Sequence, residues 1–110
     1  MRPETEKQVE SLRQAVKAAN EELNHVKTTL AGNDDKYING LIRQASFWLD
    51  DVETFFIGML REERMPPRTL AEESTIVSNA ARHFDTVALP LVKNIRDLVA
   101  RYGPTITSVG

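Results

Sequence analysis

The sequence predicts an all-α fold, an up-down-up antiparallel bundle of three long helices. Apolar residues recur at alternating spacings of three and four along most of the chain, which is the period of an amphipathic α-helix. Two segments rich in Gly, Asn, Asp or Pro, residues 31–35 and 65–68, interrupt this pattern. Only residues 105–109 resemble a strand, and no second strand pattern could pair with them. We therefore expect residues 1–110 to form a single helical-bundle domain.

The first helix is predicted over residues 3–30. Pro3 suits the first turn, where its missing N–H costs nothing, and Glu4 and Glu6 interact favourably with the positive end of the helix dipole. One narrow stripe has the heptad spacing of a coiled-coil seam: Val9, Leu12, Val16, Ala19, Leu23, Val26 and Leu30. We expect this stripe to face the core and Gly32 to end the helix.

The second helix is predicted over residues 35–64, with Asn33 or Asp34 as its cap. Its main apolar stripe is Ile38, Ile42, Ala45, Leu49, Val52, Phe56 and Met59. A second stripe beside it contains Leu41, Trp48 and Phe55. Together the stripes form a broad apolar face, which predicts a central helix with Trp48 and Phe55 at the edge of the core.

The third helix is predicted over residues 69–102, where Thr69 and Glu72 form a capping box. Its stripe is Leu70, Val77, Ala81, Phe84, Ala88, Leu91, Ile95, Leu98 and Tyr102. Because the spacing continues through Pro90, we expect one helix with a kink near Thr86; two shorter helices split at Pro90 are the alternative. Gly103 and Pro104 should end the helix and leave residues 103–110 as a flexible tail.

The composition excludes several classes of function. The 110 residues carry a net charge of −2 and include no cysteine, which excludes disulfides, thiol nucleophiles and cysteine-bound metals. Lys and Arg are spread evenly along the chain, and this disfavours a nucleic-acid partner. No apolar run approaches the roughly 20 residues of a membrane span. The N-terminal residues also lack the apolar run of a secretory signal, so we predict a cytoplasmic protein without a membrane partner.

The sequence offers weak candidates for chemistry. Glu22 and His25 have the spacing of a di-iron motif, but His25 falls away from the stripe and no second such motif exists. His83 has no strong metal ligand at helical contact spacing, so a solvated position is expected for it as for His25. A further candidate is an acidic cluster, expected to be hydrated, that consists of Asp50, Asp51 and Glu53. The last candidate is an arginine trio that could bind an anion: Arg61, Arg64 and Arg68. We predict no catalytic residue, no metal and no cofactor.

Aromatic residues of the second helix indicate protein binding. Phe47 has polar or small neighbours on the helical wheel, among them Arg43 and Asp51, and aromatic residues are enriched at interface centres. Together with the apolar edge at Trp48 and Phe55, these residues are the predicted partner-interface candidates. The sequence therefore predicts a non-enzymatic helical protein–protein interaction module, such as an adaptor, an assembly subunit or a small regulator, that can form a homodimer.

Two other functions stay open at this point. A ligand- or metal-binding bundle would have its site between helices near Trp48, Phe55 and His83, since bundle interiors host such sites. An accessory protein of a nucleoprotein complex would instead bind nucleic acid in a salt-sensitive manner.

Overall fold

The computed structural model describes residues 2–30, 35–63 and 65–108, including the side chains up to residue 101. These residues form three long helices packed side by side, with no strand among them, as the sequence predicts. The bundle measures 57 × 19 × 19 Å. Its radius of gyration of 16.9 Å exceeds the roughly 13 Å of a compact domain of about 100 residues, so the protein is a rod.

Helix α1 spans Pro3–Thr29, and its predicted core stripe is confirmed. Pro3 lies in the first turn, and Glu4 and Glu6 follow it near the positive end of the helix dipole. The seven stripe residues from Val9 to Leu30 are all buried. Thr5 is buried as well, one helical turn before Val9. The predicted end signal Gly32 lies outside the described residues.

The second helix, α2, covers residues 36–61 and contains a π-helical insertion. It consists of an α-helical segment Lys36–Asp51, a π-helical segment Val52–Ile57 and a last α-helical turn Gly58–Arg61. Asp35 caps the helix, because its side chain accepts a hydrogen bond from the backbone N–H of Ile38. The predicted caps Asn33 and Asp34 precede the described part of this helix.

The π-helical segment changes which side chains of α2 reach the core. The backbone N–H of Gly58 bonds to the carbonyl of Glu53, five residues earlier, and such a turn holds one residue more than an α-turn. The buried stripe runs as predicted from Ile38 to Val52 and then continues at Ile57 and Leu60. The predicted core positions Phe56 and Met59 are only half-buried, because the extra residue rotates them away from the core.

The third helix, α3, covers residues 70–108 and continues through Pro90, so the predicted single helix is confirmed. It consists of Leu70–His83, a π-helical segment Phe84–Ala88 and Leu89–Ser108. The capping box of Thr69 and Glu72 is present at its start. Pro90 offers no N–H to the carbonyl of Thr86, and the π-helical segment contains Thr86. The interruption predicted near Thr86 thus takes the form of a local change in hydrogen bonding.

Two predictions for α3 are wrong. The buried stripe is Val77, Ala80, Phe84, Ala88, Val92 and Ile95, so Ala81 and Leu91 are half-buried, and Leu70 is exposed. The shift from Leu91 to Val92 follows the π-helical segment and has the same cause as in α2. The helix also does not end at Gly103, since its backbone stays helical to Ser108 and Pro104 already has the φ angle of a helix. The side chain of Tyr102 lies outside the described residues.

Ion pairs between helices fix the up-down-up arrangement. Arg13 of α1 pairs with Glu53 near the end of α2, as expected for antiparallel neighbours. Glu22 of α1 pairs with Arg96 far along α3, as expected for parallel neighbours. Among the described residues, no helix is long and apolar enough to cross a bilayer.

Candidate protein-interaction surface

Helix α2 exposes three aromatic side chains on the outside of the bundle, Tyr37 near its start and Phe47 and Phe55 further along. Phe47 is 60% exposed and Phe55 is 58% exposed. Both line one open depression of about 540 Å³. The π-helical segment brings them together, because its extra residue turns Phe55 from the core edge, where it was predicted, towards the side of Phe47. We call this depression the Phe47–Phe55 surface; it is lined by Phe47, Asp50, Asp51, Thr54, Phe55, Gly58, Met59 and Glu62.

The floor of the Phe47–Phe55 surface is small and polar. The Thr54 hydroxyl donates a hydrogen bond to the Asp50 carboxylate over 3.3 Å, one helical turn back. A Cβ atom added at Gly58 would meet no atom within 4 Å, so this glycine leaves open space between the aromatic rings and the end of the helix. The surface therefore combines two large apolar side chains with room for a side chain of a partner.

Trp48 lies at the edge of the core, as predicted, and contacts His83 of α3. The centroids of the two rings are 5.1 Å apart in an edge-to-face arrangement, and Phe47 contacts Trp48 from the other side at the same distance. Phe56 lies against His83 at 5.6 Å. The prediction of a solvated His83 is wrong, because its side chain is only 19% exposed between these rings. Its contacts come from α2, which helical spacing within α3 does not reveal.

His83 also links this aromatic cluster to Asp51. Its Nε2 atom is buried, lies 3.6 Å from Oδ2 of Asp51 and makes no hydrogen bond to another described residue. A protonated His83 would form an ion pair across this distance. The sequence-predicted ligand site near Trp48, Phe55 and His83 is only partly assembled, since Phe55 points outward and Phe56 takes its place against His83. The rings of Trp48, Phe56 and His83 themselves fill this space between α2 and α3.

The acidic cluster of α2 divides among three different partners. Asp50 is exposed and bonds to Thr54, Asp51 faces His83, and Glu53 pairs with Arg13 of α1 over 3.1 Å. Asp50 is exposed as expected, whereas Asp51, which was also expected to be hydrated, is only 30% exposed and faces His83.

The di-iron spacing at Glu22 and His25 has a structural explanation. Glu22 accepts a hydrogen bond from Arg96 over 2.9 Å, and this contact raises the pKa of the guanidinium above its ordinary value. His25 is exposed, as predicted. Within the described ranges, no group of three His, Asp or Glu side chains is arranged to hold a metal ion.

The loop that contains Pro66 and Pro67 borders a depression of about 950 Å³, and the charges around this depression are mixed. Arg61 and Arg68 of the predicted arginine trio line it together with Arg2, and four glutamates lie among them: Glu6, Glu62, Glu63 and Glu73. Arg64 lies outside the described residues. Because carboxylates surround the guanidinium groups, this depression lacks the positive field of an anion site.

A buried polar network beside this depression was not predicted from the sequence. Glu73 is buried, accepts a hydrogen bond from the Thr5 hydroxyl over 2.8 Å and pairs with Arg2 at 3.4 Å. Burial raises the pKa of the Glu73 carboxyl. The hydrogen bonds from Thr5 and Arg2 together lower it by more than burial raises it, so this pKa lies below its ordinary value. Helical spacing could have indicated this network, because Thr5 and Glu73 each continue a buried stripe, of α1 and of α3, by one helical turn.

The structure brings together most of the predicted interface residues. Phe47, Asp51 and Phe55 share the Phe47–Phe55 surface, and Trp48 supports it from the core side. Arg43 is exposed one turn before Phe47 and lines a different depression with Lys27 and Leu30. The helical wheel also places Thr54 and Gly58 beside Phe47, and the structure confirms this, whereas Glu62 of this surface was not singled out from the sequence.

Comparisons with known proteins add no relative. No protein-family model matches the chain, and no curated protein or solved structure matches it significantly. The function is therefore inferred from the geometry described above.

Proposed function

We propose that this chain is a non-enzymatic helical protein–protein interaction module, an adaptor, assembly subunit or small regulator, that binds a protein through the Phe47–Phe55 surface. The observation that carries the proposal is the joint exposure of Phe47 and Phe55, at 60% and 58%, around one depression. Single exposed apolar residues are common, but contiguous aromatic patches with a polar rim are typical of binding sites.

The position of the surface on a rigid helix supports this proposal. Phe47 packs edge-to-face on Trp48, which in turn packs on His83, so the ring is held from below while its outer side stays free. A side chain held in this way loses little conformational entropy when a partner binds. Binding hot spots commonly consist of such supported aromatic residues at the centre of an interface.

The interaction function is favoured over the ligand-binding alternative. Rings of the protein fill the space between α2 and α3 at Trp48 and His83, whereas a ligand site needs an apolar pocket with converging polar groups. The even distribution of basic residues likewise favours a protein over a nucleic acid as the partner. The proposal includes the cytoplasmic location expected from the cysteine-free composition.

Photo-crosslinking from position 47 tests the proposal. A benzoyl-phenylalanine replaces Phe47 in cells that make the protein, and the control chain carries it at the exposed position of Lys17 on α1. We expect a protein adduct from position 47 and a much weaker one from position 17. Phe55→Ala should reduce the adduct, whereas Leu70→Ala, which removes an exposed apolar side chain elsewhere, should not. Equal adducts from both positions, or none from position 47, would contradict the proposal.

A further inference from the structure

The Phe47–Phe55 surface is acidic as well as aromatic. Its lining contains the carboxylates of Asp50, Asp51 and Glu62 and, among the described residues, no Lys or Arg. Asp50 and Glu62 are exposed, and neither forms an ion pair with another described residue. The carboxylate of Asp51 faces His83 of its own chain at 3.6 Å. The surface thus presents at least two carboxylates for which the described part of the chain supplies no counter-charge.

Aromatic and acidic side chains alternate along this surface. In chain order Phe47 is followed by Asp50, and Phe55 is followed by Glu62. The face of an aromatic ring attracts a cation, and a carboxylate attracts it more strongly. The guanidinium of arginine can satisfy both groups, because its plane stacks on a ring while its N–H groups donate two parallel hydrogen bonds to a carboxylate. Arginine therefore matches the chemistry of this surface.

The spacing of the carboxylates requires more than one basic side chain. Asp50 and Glu62 lie about 18 Å apart along α2, at roughly 1.5 Å per residue, so one side chain cannot reach both. The open space above Gly58 lies between them, because an added Cβ atom would meet no atom within 4 Å there. A matching partner therefore carries two basic side chains with apolar side chains between them.

We infer that the Phe47–Phe55 surface binds a basic amphipathic segment of another protein. Arginine side chains of this segment bind at Asp50 and Glu62, and apolar side chains between them pack on Phe47 and Phe55. This inference rests on the proposed function and names the chemistry of its partner. A second copy of the surface would bring the same carboxylates and set like charges against each other. The carboxylates likewise repel the phosphate groups of a nucleic acid or a lipid.

Selection from a random peptide library displayed on phage tests this inference. The library is first depleted on the Phe47→Ala/Phe55→Ala variant, so that peptides that bind elsewhere on the protein are removed. We expect the peptides then recovered on the wild type to carry a net positive charge and to combine arginine with apolar residues. Recovery of neutral or acidic peptides overturns the inference, as does the absence of any peptide that depends on the two rings.

Synthetic peptides measure how much the charges contribute. Fluorescence anisotropy compares the strongest selected peptide with the same peptide in which citrulline, the neutral analogue of arginine, replaces each arginine. We expect citrulline to weaken binding about tenfold or more, and Asp50→Asn/Glu62→Gln to weaken binding of the arginine peptide by a similar factor. Glu21→Gln, which removes an exposed carboxylate of α1, is the control and should change binding less than about twofold. Equal effects of the two carboxylate substitutions overturn the inference. Circular dichroism confirms that each variant is folded.

Crosslinking in cells separates this inference from the proposed function. With benzoyl-phenylalanine at position 47, Asp50→Asn/Glu62→Gln should reduce the protein adduct about as strongly as Phe55→Ala does, whereas Glu21→Gln should not. Peptide mapping should place the crosslink in a segment that is rich in arginine or lysine. An adduct that persists in the double variant, or that maps to an acidic segment such as α2 of a second copy, supports the interaction function and overturns the basic partner. The absence of any adduct from position 47 overturns both.

Discussion

Replacement of Ile57 by Ala tests whether the π-helical segment sets the register of α2. Ile57 is 1% exposed, so Ile57→Ala empties a site inside the core. The substitution removes three carbon atoms, which corresponds to about 2.4 kcal/mol at roughly 0.8 kcal/mol per buried carbon group. The cavity left behind adds a further cost, so we expect the free energy of unfolding to fall by about 3–4 kcal/mol. Phe55→Ala is the contrasting variant, because Phe55 is 58% exposed, and it should cost less than about 1 kcal/mol.

Urea denaturation followed by circular dichroism measures both variants, and the single tryptophan, Trp48, provides an independent fluorescence probe. Coincident transitions from the two probes would justify a two-state fit. In an uninterrupted α-helix Phe55 and Ile57 lie about 100° to either side of Phe56, so the two substitutions would cost similar amounts of free energy. If Phe55→Ala destabilises the protein as much as Ile57→Ala or more, the π-helical register and the surface that depends on it are both refuted.

Further variants follow from the same structure. Gly58→Ala and Gly40→Ala should each stabilise the protein by about 0.5–1 kcal/mol in urea denaturation, because both glycines lie inside α2 and an added Cβ meets nothing within 4 Å. A loss of stability at either site would mean that the space is occupied. Pro90→Ala should keep the full helix signal in circular dichroism, since α3 already continues through Pro90; lost helicity would contradict the continuous helix. Because the folded pKa of Glu73 is lowered, its contribution to stability is present above its ordinary value of 4.5 and is lost as the pH falls through the folded value. The wild type should therefore lose more stability below about pH 4.5 than Glu73→Gln, and equal slopes would remove Glu73 as a source of acid sensitivity.

Regular α-helical spacing explains why α1 could be predicted almost completely. All seven of its stripe residues follow the alternation of three and four, and all seven are buried. No proline or π-turn interrupts this helix between Val9 and Leu30, so the helical wheel remains valid over its whole length. The capping box at Thr69 was predictable for a similar reason, because both of its hydrogen bonds are local.

The helical wheel fails where one extra residue enters a turn. In α2 it places Phe56 on the core side with Phe55 and Ile57 on its flanks, whereas the structure buries Ile57, leaves Phe56 half-buried and exposes Phe55. Both registers offer apolar side chains to the core, so the sequence pattern alone does not distinguish them. The choice depends on packing against α1 and α3, which are distant in sequence. In α3 the missing N–H of Pro90 marks where the pattern can change, and the π-helical segment lies there.

Contacts between helices account for the other errors. His83 has polar or small neighbours within α3, which predicts a solvated ring, but Trp48 and Phe56 of α2 enclose it. From the sequence, Thr5 and Glu73 look like ordinary polar residues. In the structure each lies one turn before a buried stripe, and the Thr5 hydroxyl donates a hydrogen bond to the Glu73 carboxylate. A polar residue that continues a buried stripe indicates a buried hydrogen bond only when a second polar residue lies opposite it on the neighbouring helix. Which residues lie opposite each other depends on the topology of the bundle.

The core and the candidate interaction surface of α2 depend on the same structural feature. The five-residue step from Val52 to Ile57 brings Ile57 and Leu60 into the core. The same step turns Phe55 outward, beside Phe47, and places Gly58 between the rings and Glu62. A π-turn packs its backbone less favourably than an α-turn, so the buried side chains that it positions must offset this cost. The exposed aromatic pair thus follows from how the core is packed, so a substitution that restores a regular helix in this segment should disturb the core and the Phe47–Phe55 surface together.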